Sequence, residues 1–220
     1  MKRGIIVSFE GIDGCGKTTI VKKFYQYLLK KNYQVIVLHE PGGTKIGDRI
    51  RKILLSKNIE MSKFCELFLY LASRSQLIEE KIKKNLERGK IIILDRYIDS
   101  TFAYQGYGRN ISLKFIRDLH SFIIEKKYLP NITFLIDEKP ENLIEILKRK
   151  NKDRIEEESL EFQKKVRKGY LEIAKKNRRV KIIKRQSEEE TFLEVIKKWE
   201  EFLNEYKRSK KLPFESKTKK

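Results

Sequence analysis

An α/β domain built on a parallel sheet is predicted by two features of the chain. Short apolar runs alternate with amphipathic helical stretches, an order that indicates parallel strands covered on both faces. A glycine-rich phosphate-loop pattern also lies between the first strand-like run and the first helical one. The 220 residues suffice for one full core. With 40 % hydrophobic and 37 % charged residues but only 11 Gly and 4 Pro, collagen-like, low-complexity and wholly disordered chains are excluded.

Residues 4–9 contain Ile5-Ile6-Val7-Ser8-Phe9, a buried strand that ends at Glu10-Gly11. From 17 to 31 the apolar positions Ile20, Val21, Phe24, Tyr27 and Leu28 recur at helical spacing. Residues 35–38 form a second buried strand and 47–55 a short basic helix. A long amphipathic helix is expected over 64–86, with Leu67, Leu71, Ile78, Ile82 and Leu86 along its stripe. The third strand, 91–94, runs straight into Asp95. Residues 113–125 are helical and 132–136 form a fourth strand. Pro140 opens a helix over 140–148, proline being permitted in a first turn. Residues 151–158 are polar except for Ile155, too charged to bury and suited to cover something. A helix over 160–176, a fifth strand over 180–183 and a last helix over 188–206 complete the pattern. Beyond Lys207 the apolar period stops, and a basic, disordered tail over 207–220 is expected. No linker divides the rest, so 1–206 reads as one domain with a lid at about 148–158.

Two cysteines, Cys15 and Cys65, cannot make a disulfide framework, which indicates a cytoplasmic protein. No run of about 18 apolar residues predicts a membrane helix, and the first residues do not form a signal peptide. The net charge of +20 admits three readings: a polyanionic partner, a polyphosphate substrate, or a composition biased to Lys, Glu and Ile. Part of the excess is local, with eleven basic residues against one acid over 163–185. No nucleic-acid recognition motif accompanies it, so nucleic acid is not expected as the main partner.

The strongest chemical signal is Gly11-Ile12-Asp13-Gly14-Cys15-Gly16-Lys17-Thr18, a G-x-x-x-x-G-K-[ST] loop between strand and helix. Glycines let backbone N–H groups turn inward around phosphate oxygens, and the following helix points its positive end at the same anion. Lys17 suits the β- and γ-phosphates of ATP, and the Thr18 hydroxyl suits Mg²⁺. Cys15 is a small side chain within the loop, and a helix N-terminus could also lower its thiol pKa. A GTPase would need N-K-x-D and D-x-x-G. Asn151-Lys152-Asp153 lacks the intervening residue, and Asp95-Arg96-Tyr97-Ile98 lacks the glycine.

Four blocks occur in order: Phe9–Thr19 around the loop, Glu40-Pro41-Gly42-Gly43-Thr44, Asp95-Arg96-Tyr97 with Ser100-Thr101-Phe102-Ala103-Tyr104-Gln105-Gly106, and Asp153-Arg154-Ile155-Glu156. On these blocks the chain, from about residue 4 to about 200, resembles the bacterial thymidylate kinases. The resemblance implies a three-layer P-loop nucleoside monophosphate kinase fold with a five-stranded parallel sheet in the order 2-3-1-4-5 and a small lid. It implies transfer of the γ-phosphoryl of ATP to dTMP, giving dTDP for dTTP biosynthesis, with Mg²⁺ as cofactor. It also implies a homodimer, to which the long helix could contribute. The alternatives are a kinase for another nucleoside monophosphate or deoxynucleoside, or a nucleic-acid-binding P-loop protein.

The same resemblance implies residue roles. The loop from Gly11 to Thr19 would hold ATP, with Arg185 in the turn after the fifth strand near adenine. Arg96 and Arg51 would bind the dTMP phosphate, and Asp13 would face the acceptor near its 3′-hydroxyl. Tyr70, at a position usually Phe, would stack on thymine, with Arg74 on the same helix face donating to O4. Glu40, Pro41, Ser100, Thr101 and Gln105 would line the base site, and Tyr104 would crowd the sugar 2′ position. Asp95 closes an apolar strand, where a carboxylate is costly without a partner. A water-mediated Mg²⁺ contact or an internal pair with Arg96 or another base would supply one. Gly14 leaves the P-loop without a further basic side chain, so the extra catalytic arginine is expected in the lid, as Arg149 or Arg154. Arg149 is favoured, because Arg154 has Glu156–Glu158 nearby to pair with.

Overall fold

The computed structural model describes residues 4–145 and 153–210, with backbone alone at 209 and 210. All five expected strands form: β1 (Ile5–Glu10), β2 (Val35–His39), β3 (Ile91–Asp95), β4 (Ile132–Asp137) and β5 (Val180–Lys184). They lie in the order β2-β3-β1-β4-β5, with every neighbour pair parallel. Side chains alternate across such a sheet, so each strand feeds two cores. Ile5, Val7 and Phe9 of β1 join Ile91 and Ile93 of β3 on one face, where Phe24, Phe134 and Trp199 pack together. Ile6, Ile92 and Leu94 point the other way, toward Leu77, Ile78, Ile82 and Leu86. That is the physical content of three layers.

Helices α1 (Lys17–Lys30) and α2 (Lys45–Leu55) follow β1 and β2. The long helix expected over 64–86 is two helices joined by a widened turn. α3 (Lys63–Leu77) passes through a π-helical turn, Ile78–Ile82, into α4 (Lys83–Glu87). Next comes a segment that the apolar periodicity did not reveal. α5 (Ile98–Thr101) continues as a π-helical stretch, Phe102–Gly108, whose Ala103, Tyr104, Gln105 and Gly106 are buried. α6 (Leu113–Ile123) ends two residues earlier than expected.

After Pro140 a short 3₁₀ turn, Pro140–Leu143, begins the segment expected to be helical. Residues 146–152 lie outside the described residues, so the lid expected over 148–158 is seen only from Asp153 onward. α7 (Leu160–Lys176) crosses the π-helical stretch closely. The last helix, α8 (Glu188–Lys210), runs past the boundary expected at 206, and near its end the Tyr206 ring packs against Phe202 with centroids 5.4 Å apart. Residues 211–220 of the expected tail are outside the described residues. Among the described residues, no helix is long and apolar enough to cross a membrane.

Candidate active site

The register aligns Phe9 with Asp95 and His39 with Asp95, so β1, β2 and β3 end at one edge of the sheet. In an open parallel sheet the C-terminal edge is where ligands bind. The P-loop leaves β1 there. Thr44, Ser62, Ser112 and Ser159 cap their helices with side-chain oxygens, whereas Gly16, left-handed at φ 88°, offers α1 no such cap. The first N–H groups of α1 thus remain for an anion. At Gly11 an added Cβ would fall 2.5 Å from the Ile136 carbonyl oxygen, so the loop cannot carry a side chain there. Ile12 and Cys15 are buried beneath the loop, which argues against a reactive Cys15 thiol. Thr18 and Thr19 are exposed at its mouth. Arg185 approaches from β5, its Nε 4.0 Å from where a Cβ on Gly16 would sit.

Lys17 Nζ stands 4.0 Å from Asp95 Oδ1, and the Thr18 hydroxyl donates to Asp95 Oδ2 at 3.0 Å. Asp95 therefore has an internal cation, but it is Lys17 and not Arg96. Arg96 instead pairs with Asp13, Nη2 to Oδ1 at 2.6 Å. Its backbone is left-handed (φ 69°), a conformation that non-glycine residues seldom adopt and that tends to mark functional positions. Arg96 N–H donates to the Phe9 carbonyl, which turns the side chain across the P-loop to the Gly11 carbonyl, Ser100, Tyr104 and Tyr170. Burial alone would raise the Asp13 carboxyl, but Arg96 and Lys17 outweigh it and hold the group below the usual range. The Tyr104 hydroxyl adds a donor to Asp13 Oδ2 at 2.7 Å. Burial pushes the phenol of Tyr104 well up, so it stays protonated and keeps donating.

These groups open onto one cavity of about 460 Å³. The P-loop residues Asp13, Lys17 and Thr18 form one side, with Asp95 and Arg96 beside them. Pro41, Arg51, Tyr70, Thr101, Tyr104 and Gln105 continue its wall. Arg51 is steadied by donating to the Pro41 carbonyl at 2.9 Å. Ser100 also reaches the cavity, and its hydroxyl donates to Glu10.

Arg74 is placed differently from expectation. It is 1 % exposed and lies behind the cavity wall, with all five N–H groups engaged. Nε and Nη2 reach Glu40, Nη2 also the Tyr97 carbonyl, and Nη1 both Thr101 and His120. A donation from Arg74 to thymine O4 would have to displace one of these partners. In this arrangement Arg74 fixes Glu40 and Thr101, which do face the cavity. His120 can accept from Arg74 because burial and that same guanidinium push its pKa down to about 2.

Of the two expected lid arginines, only Arg154 is among the described residues; Arg149 lies outside them. Arg154 Nη2 binds Glu66 Oε2 at 2.7 Å and its Nε the Leu54 carbonyl at 2.9 Å, partners far from the neighbouring glutamates in sequence. Sequence reasoning missed Glu66 and the partners of Glu10. The available signal was a carboxylate in an otherwise apolar run, which must find donors if buried. Glu10, fully buried at the end of β1, accepts from Tyr97 N–H, Ser100 and Tyr170 directly behind Arg96.

Among the described residues, no three His, Cys, Asp or Glu gather as a ready metal cage. The Thr18 hydroxyl and Asp95 carboxylate are hard oxygen donors beside the phosphate loop, which fits an ion bound mainly by phosphates and water.

A family model described as thymidylate kinase matches residues 9–196. The thymidylate kinase of Thermoanaerobacter sp. (strain X514) is 47 % identical over 173 residues, spanning 79 % of this chain and 85 % of that protein. That of Fervidobacterium nodosum is 43 % identical over 200 residues, 90 % of this chain and all of the relative. The crystal structure of thymidylate kinase from Ehrlichia chaffeensis superposes with a TM-score of 0.74 at 35 % identity, covering 90 % of this chain and 99 % of that one. A match over this much of the chain, on a sheet of the same expected order, means that the chain belongs to the thymidylate kinase family.

Proposed function

We propose that the protein transfers the γ-phosphoryl of ATP to dTMP, giving dTDP for dTTP synthesis. The observation that carries this reading is the single cavity in which Arg96 and Asp13 face the P-loop Lys17. Two phosphate sites set against each other are what direct phosphoryl transfer needs, since catalysis there is mostly positioning and charge stabilisation. The loop from Gly11 to Thr19 and Arg185 hold ATP. Arg96 and Arg51 take the dTMP phosphate, Arg96 giving up part of its pairing with Asp13. A phosphate oxygen of dTMP then attacks the γ-phosphorus in line, and the bond to the β–γ bridging oxygen breaks to release ADP. Mg²⁺, held at Thr18 and near Asp95, would neutralise developing charge on the phosphates.

Tyr70 supplies the ring against the base, Pro41 and Gln105 the edges, and Tyr104 guards the sugar. The Arg96 guanidinium carbon lies over the Tyr104 ring, 4.9 Å from its centroid, which couples the group at the sugar to the phosphate clamp. Arg149 is our choice for the lid cation that reaches the transferring phosphoryl. Exposed rings on α3 and α6 support a homodimer. An enzyme of the nucleotide pool with two free thiols, Cys15 and Cys65, suits the reducing cytoplasm.

A coupled assay with ATP-Mg and a panel of monophosphates tests the reading. dTMP should be the best acceptor. dUMP, lacking one methyl, should lose about 1–3 kcal/mol of discrimination and still turn over. dCMP, with a donor where thymine has an acceptor, should be much worse. Equal turnover of dTMP and dCMP would sink the assignment.

A further inference from the structure

Tyr170 lies outside the set of residues that touch either substrate in this reading, yet its hydroxyl stands behind the arginine assigned to the dTMP phosphate. It is buried on α7 and does not line the cavity. Its neighbour Gly169 lets α7 come this close, since a Cβ there would fall 2.7 Å from the Tyr107 ring. The two terminal nitrogens of Arg96 have different partners. Nη2 pairs with Asp13 and meets the Tyr104 hydroxyl at 3.1 Å, both of them cavity-lining groups. Nη1 donates to the Gly11 carbonyl at 2.9 Å, to the Tyr170 hydroxyl at 3.1 Å and to the Ser100 hydroxyl at 3.3 Å. Glu10 sets the polarity of those last two contacts. Its Oε2 accepts from the Tyr170 hydroxyl at 3.0 Å and from the Ser100 hydroxyl at 2.6 Å. The two hydroxyls lie 2.8 Å apart and form one cluster with it. With their protons turned to the carboxylate, both oxygens keep lone pairs for Nη1. Burial pushes the Tyr170 phenol well up, so it keeps the proton that it donates.

We propose that Tyr170 is a positioning residue for the acceptor phosphate: anchored by Glu10, its hydroxyl holds Arg96 Nη1 from behind, so that Nη2 stays aimed into the cavity when a phosphate takes over from Asp13. The inference rests on the kinase reading above and deepens it. Arg96 leaves a left-handed backbone (φ 69°), and its long side chain must be held in one direction across the P-loop. A free guanidinium would lose rotamer freedom each time a phosphate bound. A guanidinium already fixed at one nitrogen does not, and its planar fork meets the phosphate in a single orientation.

The test compares the binding of dTMP with that of thymidine, which carries the same base and sugar without the phosphate. Calorimetry on the full chain is run above the value of about 7 to which Glu10 is pushed up, so that its carboxylate is charged. Tyr170→Phe keeps the ring in the core and removes the hydroxyl alone. It should weaken dTMP by about 10-fold, the size of one hydrogen bond to a charged group, and leave thymidine and the KM for ATP within about twofold of the parent. A merely structural role would lower the melting temperature and weaken dTMP and thymidine by the same factor. Because the effect runs through Arg96, Tyr170→Phe should change dTMP affinity by less than about twofold in an Arg96→Lys background. Should Tyr170→Phe fail to fold, Glu10→Gln carries the test. Its amide oxygen must take the Tyr97 N–H, now bound at 2.8 Å, which leaves the NH₂ group to donate to the two hydroxyls. The same selective loss of dTMP is then expected. Equal losses for dTMP and thymidine, unchanged dTMP binding in a folded variant, or losses that add to those of Arg96→Lys overturn the proposal. A parent that binds thymidine as tightly as dTMP, or does not phosphorylate dTMP, would instead overturn the kinase reading beneath it.

Discussion

Glu10 shows how a single buried side chain ties stability to pH. It sits at the end of β1, and its carboxyl is pushed up to about 7, first by burial and then by the charge of nearby Asp99. Ser100, Arg96 and the Tyr97 N–H pull the other way and lose. Between the ordinary glutamate value of 4.5 and about 7, the folded protein therefore holds a proton that the unfolded chain has released. Stability from this group is complete below that window and is lost as pH rises through it. Glu10→Gln should flatten the slope of stability against pH between about 5 and 7, while costing about 1–3 kcal/mol because its amide faces donors. Thermal melts of parent and variant across that range check this, and identical slopes would refute it. The residues that line the cavity around Lys17, Asp95 and Arg96 were legible from the P-loop spacing and the D-R-Y block. The second partners were not. The pairings of Arg74 with Glu40, Arg96 with Asp13 and Arg154 with Glu66 join residues 34, 83 and 88 positions apart, and local pattern carries no information at that range.

At the scale of elements, the five strands and most helices could be read directly, because apolar runs and 3.6-residue stripes are one-body signals of burial. The stretch from Ile98 to Gly108 could not. It is rich in polar, aromatic and glycine residues, and its π-helical turns shift the period away from the helical template. What holds it is close contact with α7. A Cβ on Gly169 would lie 2.7 Å from the Tyr107 ring, and one on Gly108 2.7 Å from Phe162. Gly169→Ala sets two effects against each other. Alanine gains up to about 1 kcal/mol of helix propensity, but the ring and its own Cβ, 2.9 Å away, must move. Overpacking costs about 1–3 kcal/mol, so a net loss and a melting temperature lower by a few degrees are expected. Tyr104 lies on the same stretch, so KM for dTMP should rise more than KM for ATP. An unchanged or higher melting temperature would show that the contact is looser than the geometry indicates.

At the scale of the whole molecule, two features oppose each other. A net charge of +20 drives copies apart. Against it, α3 and α6 present Phe64, Phe68, Phe115 and Phe122 at 45, 49, 38 and 85 % exposure. Phe64 and Phe115 meet edge to face with centroids 6.1 Å apart, which joins the exposed rings of the two helices at one point. Residues 64 and 68 share one face of α3, and 115 and 122 one face of α6. Four exposed rings on two adjoining helices of a highly charged chain fit an isologous interface between two copies. The same helix α3 carries Tyr70, so pairing there would stiffen the cavity wall from behind. Sedimentation should give about twice the 26.3 kDa chain mass for the parent and the chain mass for Phe68→Asp. Because the opposing term is screened charge repulsion, dimerisation should also strengthen between about 0.01 and 0.15 M salt, as the Debye length falls from about 30 to 8 Å. A parent that stays monomeric at both salt concentrations would leave those four rings without a partner and reject the interface.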